Sequence, residues 1–284
     1  MALKKIRTLP ALKVNPGLRA SYRRALDGLL AEMARDVVGR LLEEYDRMAW
    51  RIAPEMAQDG KWRSPAQAML DAEEKLLKQW RRRFRDESTK QAKKALRDIW
   101  RQIKRQRTKA LKDLGISVSI DPSRLTQDRF KALLLENVRL IRTIPEEYFS
   151  SLSATINHAI VSGFDRAAMA AELFQKFEPP SGEKTMREYR KWQNHCRFIA
   201  RDQTSKAVQA LAECTDRDLG LTEGIWVHVP GRLSSRLTHI KMNGTRYKLD
   251  EGLYDSAVDR MVKPASEINC MCSYRPVIPD SWRA

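Results

Sequence analysis

The sequence has few of the features that mark secreted or membrane-spanning proteins. Only four of its 284 residues are cysteines, which does not suggest a disulfide framework. No apolar run reaches the length of about 18 residues that a membrane span needs. The first residues, MALKKIR, lack the apolar core of a signal peptide. We therefore expect a protein that is made and kept in a cytoplasm.

Signatures of common enzyme classes are also missing. The chain has no glycine-rich phosphate loop, no HEXXH helix and no GXSXG nucleophile elbow. His195 and Cys196 are adjacent, but neighbouring residues of a helix point about 100° apart, so the imidazole would not face the thiol. We expect these two residues to serve packing and surface roles, and we expect the protein not to be an enzyme.

Acidic residues are too few to balance the basic ones. The chain has 53 Lys and Arg against 36 Asp and Glu, a net charge of +17, which exceeds what solubility requires. Residues 75–112 contain 16 basic and three acidic residues, so one segment carries most of the excess. A helix with charge of nearly one sign repels itself, which favours contact with nucleic acid or an acidic partner over an inert solvated face. The expected contact residues are Arg81, Arg82, Arg83, Arg85, Lys93, Lys94, Arg97, Arg101, Lys104 and Arg105.

Hydrophobic spacing predicts an extended arm followed by two long helices. Residues 1–14 are basic and their apolar residues show no helical or strand period. We expect them to become ordered only against a partner. Asn15 and Pro16 open the first helix, since Asn can cap a free N–H and Pro needs no donor at the first position. Residues 64–65 repeat that signal for a second helix, which should stop at Gly115. The two helices are typical of an antiparallel hairpin or of a coiled-coil dimer.

The rest of the chain predicts a smaller mixed domain. Helices are expected at 130–144, 146–162, 166–177 and 185–218, and strands at 117–120, 225–229, 246–249 and 272–278. We place the domain boundary at 115–122. The fold class is therefore predominantly helical α+β, with a basic helical module at 15–116 and an α+β carboxyl-terminal domain at 117–284.

Four short segments between residues 198 and 278 form an ordered set. They are FIARDQTSK from Phe198, LGL and GIW from Leu219, RLTH and MNG from Arg236, and SEINCMC with RPVI from Ser266. In this order they resemble the phage Mu F-like minor head, or head morphogenesis, protein family. The signature residues are Arg201, Asp202, Gln203, Lys206, Trp226, Gly244 and Asn269. The segment LIRTIPEEYF from Leu140 extends the resemblance toward residue 130.

The chain departs from the family pattern at two places. Family members usually carry an acidic residue and a basic pair before the histidine, where this chain has GRLSS from Gly231. The position between the two cysteines, often Arg in the family, is Met271. We therefore expect no polar site built from those family residues. Some relatives carry an effector domain after the cysteine motif, and we expect none here, since the sequence stops at residue 284.

The resemblance implies a minor capsid protein of a tailed bacteriophage. Such a protein joins the procapsid in few copies, binds the portal protein inside the virion head and assists head assembly, DNA packaging or ejection. Major capsid or scaffolding protein is a further expected partner. Double-stranded DNA is expected to be contacted through its phosphates without sequence preference, and no membrane partner is expected.

Cys270, Cys272 and His239 are candidate ligands of a structural zinc ion, because two thiolates and an imidazole suit that metal. Residues two apart point to opposite sides of a strand, so a turn at 269–271 would have to bring both sulfurs together. The candidates for a fourth ligand are His228, Cys214 and Asp250. Buried free thiols or a local redox pair are the alternative to zinc.

Two other functions compete with head assembly. A zinc-dependent nuclease or deaminase of the phage head is the first, although a deaminase would need a Glu beside the histidine and Cys-x-x-Cys spacing. A sequence-specific DNA-binding regulator would need a compact helix-turn-helix, which the spacing does not show. Asp202 and Lys206, four residues apart, are expected to form an ion pair within a helix and not to take part in chemistry.

Overall fold

The computed structural model describes residues 6–49, 65–161, 166–179, 188–230 and 235–282. In these ranges the helices are α1 (Pro16–Ala49), α2 (Pro65–Lys112), α3 (Arg124–Ile141), α4 (Thr143–Val161), α5 (Arg166–Phe177), α6 (Tyr189–Asp218) and α7 (Leu237–Lys241). The strands are β1 (Glu223–Val227), β2 (Arg246–Lys248), β3 (Leu253–Asp255), β4 (Arg260–Val262) and β5 (Ser273–Pro276). The fold is predominantly helical α+β, as predicted. None of the helices in these ranges combines the length and apolar character that crossing a lipid bilayer requires.

Local side-chain chemistry sets the ends of the long helices. The Asn15 side chain accepts the backbone N–H of Gly17 at 2.8 Å, so the predicted cap of α1 is confirmed. Gly115 adopts a φ of 78°, and the N–H that follows it bonds back to the carbonyl of Leu111 at 3.0 Å. This left-handed stop, which favours glycine, ends α2 where the sequence predicts. The predicted cap Ser64 lies outside the described residues, as does GRLS at 231–234.

Some local predictions are wrong. Residues 117–120 form no strand, and Ile120 instead packs into an apolar cluster with Leu9 and Leu111. The helix expected to end near residue 144 ends at Ile141, and Pro145 lies in the first turn of the next helix, where its missing N–H costs little. Helix α7 and the β3–β4 hairpin were not predicted, since elements of three to five residues leave almost no periodic signal.

The strands form two small antiparallel sheets. In the three-stranded sheet β1 lies between β2 and β5, with Ile225 opposite Arg246 on one side and opposite Arg275 on the other. The second sheet is the β3–β4 hairpin, in which Tyr254 faces Met261. Residues of both sheets, including Trp226, Tyr247, Val262 and Tyr274, are buried in one apolar cluster.

The chain forms two compact units, each assembled from separate segments. The first unit contains Met1–Tyr22, Gln91–Asn137 and Phe198–Ala284, and the second contains Arg23–Lys90 and Val138–Arg197. The domain boundary predicted at 115–122 lies inside the first unit. The division between the two units instead falls within α2, between Lys90 and Gln91, so this helix contributes residues to both units.

In the second unit α1 and α2 contact each other within one chain. The Trp80 indole N–H donates to Asp36 at 2.8 Å, and Arg40 donates to Gln79 at 3.1 Å. An aromatic cluster holds α4, α5 and α6 together, with the rings of Phe177 and Trp192 stacked 5.4 Å apart. The second unit therefore contains the intramolecular hairpin, one of the two arrangements that the sequence left open.

In the first unit the arm is ordered against its own chain. Leu9 is 1% exposed, and its N–H donates to the carbonyl of Pro276 at 2.9 Å beside β5. Gln102 on α2 donates to the carbonyl of Lys13 at 2.7 Å. The expectation that the arm orders only against a partner is wrong for residues 6–14, because its buried leucines and backbone bonds complete the core of this unit.

Candidate functional site

The four family-like segments meet in the first unit. Asp202, on α6, accepts the backbone N–H of Asn269 at 2.7 Å, and Arg201 donates to the Asn269 side-chain oxygen at 2.5 Å. Trp226, on β1, packs its ring edge-on to His239 with centroids 5.4 Å apart. Gly244 has a φ of 83° and donates its N–H to the carbonyl of Trp226 at 2.8 Å. Segments that are far apart in sequence therefore form one connected site.

Other signature residues of α6 support this arrangement. Lys206 bonds to Asp202 at 3.0 Å, which confirms the ion pair predicted from their spacing, and also to Glu136 on α3 at 2.9 Å. Gln203 donates to Glu136 at 3.0 Å. Polar residues of the ARDQTSK segment thus fix α6 against α3 and against the loop that carries Asn269.

A tight turn brings the two cysteine sulfurs together. Asn269 has a left-handed φ of 61°, and the N–H of Cys270 donates to the carbonyl of Glu267 at 3.0 Å. Nδ1 of His239 lies 3.4 Å from the sulfur of Cys270 and 3.8 Å from that of Cys272. The three ligand atoms lie within 4.8 Å of one another, and all three residues are buried. The predicted turn is confirmed, and the group can hold a metal ion.

The far side of the histidine ring is held by a carboxylate. Nε2 of His239 lies 3.1 Å from Oδ2 of Asp255, whose other oxygen accepts the N–H of Ala257 at 2.9 Å. Because a carboxylate accepts hydrogen bonds, this contact assigns the proton to Nε2 and leaves the Nδ1 lone pair facing the sulfurs. Metal-binding histidines are commonly oriented in this way. Sequence analysis missed Asp255, which lies on the unpredicted strand β3.

The two thiols have unequal proton affinities. The pKa of Cys272 is lowered to about 7, first by a hydrogen bond from Cys270, with the Val229 backbone and the Trp226 indole contributing. The pKa of Cys270 is raised to about 12, first by Cys272 and then by burial. The hydrogen bond to Cys270 also raises the pKa of His239. The site therefore stabilises a thiolate at Cys272, and a thiolate is the form that binds metal.

One of the three candidates for a fourth ligand lies beside the site. Nδ1 of His228, which follows β1, is 3.5 Å from the sulfur of Cys272, and this residue is half-buried. Cys214 lies on α6, where burial raises its pKa, and Asp250 is exposed in the turn after β2. Two sulfurs and two imidazoles are a donor set that suits zinc.

In the second unit, several of the predicted contact arginines have acidic partners. Arg81 forms an ion pair with Glu146, and Arg83 with Glu32, at 2.5 Å in each case. Arg85 lies 3.2 Å from Asp86. Neighbouring helices therefore supply carboxylates to this part of α2, and the expectation of a helix repelled by its own charge is wrong here. Arg82 is exposed.

In the first unit, α2 carries a basic stripe on its exposed side. It consists of Lys93, Lys94, Arg97, Arg101, Lys104 and Arg105. Arg101 bonds to Asp98 at 2.9 Å and Lys104 to Asp121 at 3.3 Å, and the other four have no carboxylate partner within the described ranges. Positions three and four apart share a helix face, so these cations form a continuous positive surface.

His195 and Cys196 have separate surroundings in the second unit. The two ring nitrogens of His195 contact Glu147 at 2.7 Å and Thr143 at 3.2 Å. Cys196 is fully buried, and burial raises its pKa far above the ordinary value for a thiol. A thiol in that state is not a nucleophile at neutral pH.

Comparison with known proteins gives one distant relative. No family model matches the chain, and no solved structure matches it. An uncharacterized protein of Haemophilus influenzae is 24% identical over 156 residues, which cover 54% of this chain. The matched stretch spans 30% of the length of that relative.

Proposed function

We propose that this chain is a minor head protein of a tailed bacteriophage, located in the capsid interior at the portal vertex. It would bind the portal protein and assist procapsid assembly, DNA packaging or ejection. The observation that supports this proposal is the assembly of the four family-like segments into one site. Arg201 and Asp202 of the first segment bind Asn269 of the last, and Trp226 of the second packs on His239 of the third. A shared family domain would bring these segments into contact.

Cys270, Cys272 and His239 would hold a structural zinc ion, with His228 as the fourth ligand. When bound, the ion would join α7, the end of β1 and the segment before β5, which are all short elements. Four protein ligands close the coordination shell of zinc, whereas a catalytic zinc keeps a position open for water. The donor set therefore favours a structural metal over a nuclease or deaminase.

The basic stripe would contact duplex DNA in the filled head. Exposed Lys and Arg side chains at helical spacing bind phosphates and release counterions, which gives affinity without sequence preference. Lys93, Lys94, Arg97 and Arg105 lack carboxylate partners among the described residues, so they can bind phosphate without first breaking an ion pair.

Co-expression with the portal protein of the same virus tests this function. A complex of defined stoichiometry that survives about 0.5 M salt would support it, because exposed charge attraction is largely screened there. Zinc that co-purifies with the chain, without nuclease or deaminase turnover, would support the structural role of the metal. Failure to form the complex, together with metal-dependent turnover, would favour the enzyme.

A further inference from the structure

A pocket of about 280 Å³ lies between α3 and α6 in the first unit. Both helices line it with residues at positions i, i+3, i+4 and i+7, which share one face of a helix. On α3 these residues are Arg129, Ala132, Leu133 and Glu136, and on α6 they are Lys206, Gln209, Ala210 and Glu213. Tyr247 of β2, Tyr274 of β5 and the turn at 263–266 complete the lining.

The pocket results from the way in which these two antiparallel helices are joined. At one end the Thr126 hydroxyl donates to Asp218 at 3.2 Å, and at the other end Lys206 donates to Glu136 at 2.9 Å. Between these two contacts the lining includes two alanines, whose methyl groups are too short to fill the space between the helices. The helices therefore hold the pocket open between two fixed ends.

The acidic groups of the pocket already have basic partners. Glu136 accepts from Lys206 at 2.9 Å, and Glu213 accepts from Lys263 at 2.6 Å. Lys206 also forms an ion pair with Asp202 at 3.0 Å. The two lysines and the two glutamates of the lining therefore leave no charge for a ligand to neutralise.

Three other polar groups of the lining have unused hydrogen-bonding capacity. Arg129 is exposed and has no carboxylate partner among the residues that the structure describes. Tyr247 is 6% exposed, and its hydroxyl forms no hydrogen bond within the same ranges. Gln209 is also 6% exposed, and its Oε1 is buried without a partner. Because buried polar groups usually have partners, these three groups indicate that the pocket binds a ligand.

We infer that the pocket binds an acylated amino acid with an apolar side chain and a free carboxylate. Leu133, Pro264 and the two alanines would contact the apolar side chain. The carboxylate would bind the Arg129 guanidinium, whose planar fork matches two carboxylate oxygens. The Tyr247 hydroxyl can donate to the acyl carbonyl, and Oε1 of Gln209 can accept the amide N–H. Each of the three unused groups then has a partner.

The size and charge of the pocket restrict its ligand. Pockets for drug-sized ligands have volumes of about 300 Å³ or more, so a pocket of about 280 Å³ suits a group no larger than a small residue derivative. A phosphate dianion would bring two charges to a single unpaired arginine, Arg129. An amine would find both glutamates of the lining already bound to lysines. A monoanion with an apolar body therefore fits the lining better than either.

Two sources can supply this chemistry. One is a free N-acylated amino acid, and the other is the C-terminal residue of a protein chain, in which the preceding peptide bond provides the acyl group. The inference does not rest on the proposed function, because neither the portal protein nor DNA enters it. Its test needs neither partner, and its failure would leave the proposed function standing.

The test is an NMR titration of the full chain with N-acetyl-leucine, with the uncharged amide of the same compound as the reference. We expect the acid to shift the backbone signals of Tyr247 and Ala265, and to bind about tenfold more tightly than the amide, because it alone can pair with Arg129. Arg129→Gln should abolish this preference for the acid. Arg124→Gln, which removes an exposed arginine at the start of the same helix, should retain it.

Ala210→Leu provides a second variant, which fills the pocket but keeps all of its charged groups. It should lose binding of the acid and should unfold at the same or a higher temperature than the wild type, since it fills a cavity. Equal binding of the acid and the amide, an unchanged preference in Arg129→Gln, or no shift of the Tyr247 and Ala265 signals would overturn the inference.

A short peptide that ends in leucine separates the two sources. Tighter binding of this peptide than of N-acetyl-leucine, lost when the peptide is amidated at its C-terminus, identifies the end of a protein chain as the ligand. Equal or weaker binding of the peptide, with binding of N-acetyl-leucine retained, identifies a free acylated amino acid.

Discussion

Arg107 and Asp216 form a buried ion pair in the core of the first unit. Nε and Nη2 of Arg107 donate to the two carboxylate oxygens at 2.7 Å each, and the side chains are 1% and 0% exposed. The Tyr274 hydroxyl also donates to Asp216, at 2.6 Å, and Nη1 of Arg107 donates to the carbonyl of Pro10 at 2.8 Å. This network joins α2, α6, β5 and the arm through one charge pair.

Replacing Asp216 by Asn should destabilise the protein strongly. The substitution leaves the Arg107 guanidinium buried and uncompensated, which generally costs about 3–5 kcal/mol. Urea unfolding measures the change, and Asp250→Asn, at an exposed position, should stay within about 0.5 kcal/mol of the wild type. The double variant Arg107→Met with Asp216→Leu should recover much of the loss, because the buried charge is then absent. Equal stability of Asp216→Asn and Asp250→Asn would contradict this account of the network.

Shortening Leu9 tests whether the arm belongs to the core. Leu9 is 1% exposed whereas Ile6, three residues earlier, is 47% exposed. Leu9→Ala should therefore lower the free energy of unfolding by about 2–5 kcal/mol, and Ile6→Ala by less than about 0.5 kcal/mol. A small effect of Leu9→Ala, measured on the chain alone, would instead favour an arm that needs a partner to become ordered.

Glu73 should make stability depend on pH in the second unit. It lies on α2, is 6% exposed and accepts the Ser153 hydroxyl, and burial raises its pKa above the ordinary 4.5. The folded state therefore holds the Glu73 proton more tightly than the unfolded state does. The stabilisation from the protonated Glu73 side chain is complete below pH 4.5, the ordinary pKa, and is lost as the pH rises through the raised pKa of the folded state. At about pH 7, Glu73→Gln should be more stable than the wild type by an amount on the order of 1 kcal/mol.

The difference between Glu73→Gln and the wild type should disappear in acid, where both side chains are uncharged. Chemical denaturation at several pH values measures it. Glu74→Gln is the control, since Glu74 is exposed and pairs with Lys78 at 2.7 Å. A variant at Glu73 that is less stable than the wild type at every pH would show that the carboxylate itself stabilises the unit.

The parts of this structure that follow from neighbouring residues could be predicted from sequence. Asn15 and Gly115 mark helix ends because capping and a left-handed stop depend on local chemistry. The cysteine and histidine cluster was also predicted, since its motifs carry the ligands themselves. Asp255 could not be found in this way, because its role depends on a three-residue strand that leaves no periodic pattern. The docking of Leu9 and the acidic partner of Arg83 depend on tertiary contacts. A count of the charges in the sequence does not predict such contacts.

Substitutions around the cysteine cluster should separate ligands from bystanders. Cys270→Ser and Cys272→Ser are each expected to abolish bound zinc, as measured by elemental analysis of the purified protein. Cys214→Ser, which removes a buried thiol on α6, should keep it. Asp255→Asn removes the acceptor that orients His239, and should weaken zinc binding by about 10–100-fold. Zinc content unchanged in Cys272→Ser would exclude this site as the metal centre.

Neutralising the basic stripe should reduce the salt dependence of DNA binding. Each lost phosphate contact lowers the slope of log K against log salt concentration by about 0.9 on duplex DNA. Replacing Lys93, Arg97 and Arg101 together by Gln should therefore reduce the magnitude of this slope by about 2–3. The reduction should be the same on DNA duplexes of unrelated sequence. The matched triple variant of Arg81, Arg83 and Arg85 should lose less, because acidic residues already pair with those arginines. Equal losses would show that the stripe is not the contact surface.

The measurement that tests the proposed function most directly is native mass spectrometry of this chain co-expressed with the phage portal protein that the proposal assigns to it as a partner. The sample is purified by size exclusion at about 0.5 M salt, where the basic surface cannot hold an acidic partner by charge alone. We expect a complex with a fixed number of copies of this chain per portal ring. Free portal and free chain under these conditions, with DNA binding retained at low salt, would contradict the claim that this protein binds the portal vertex.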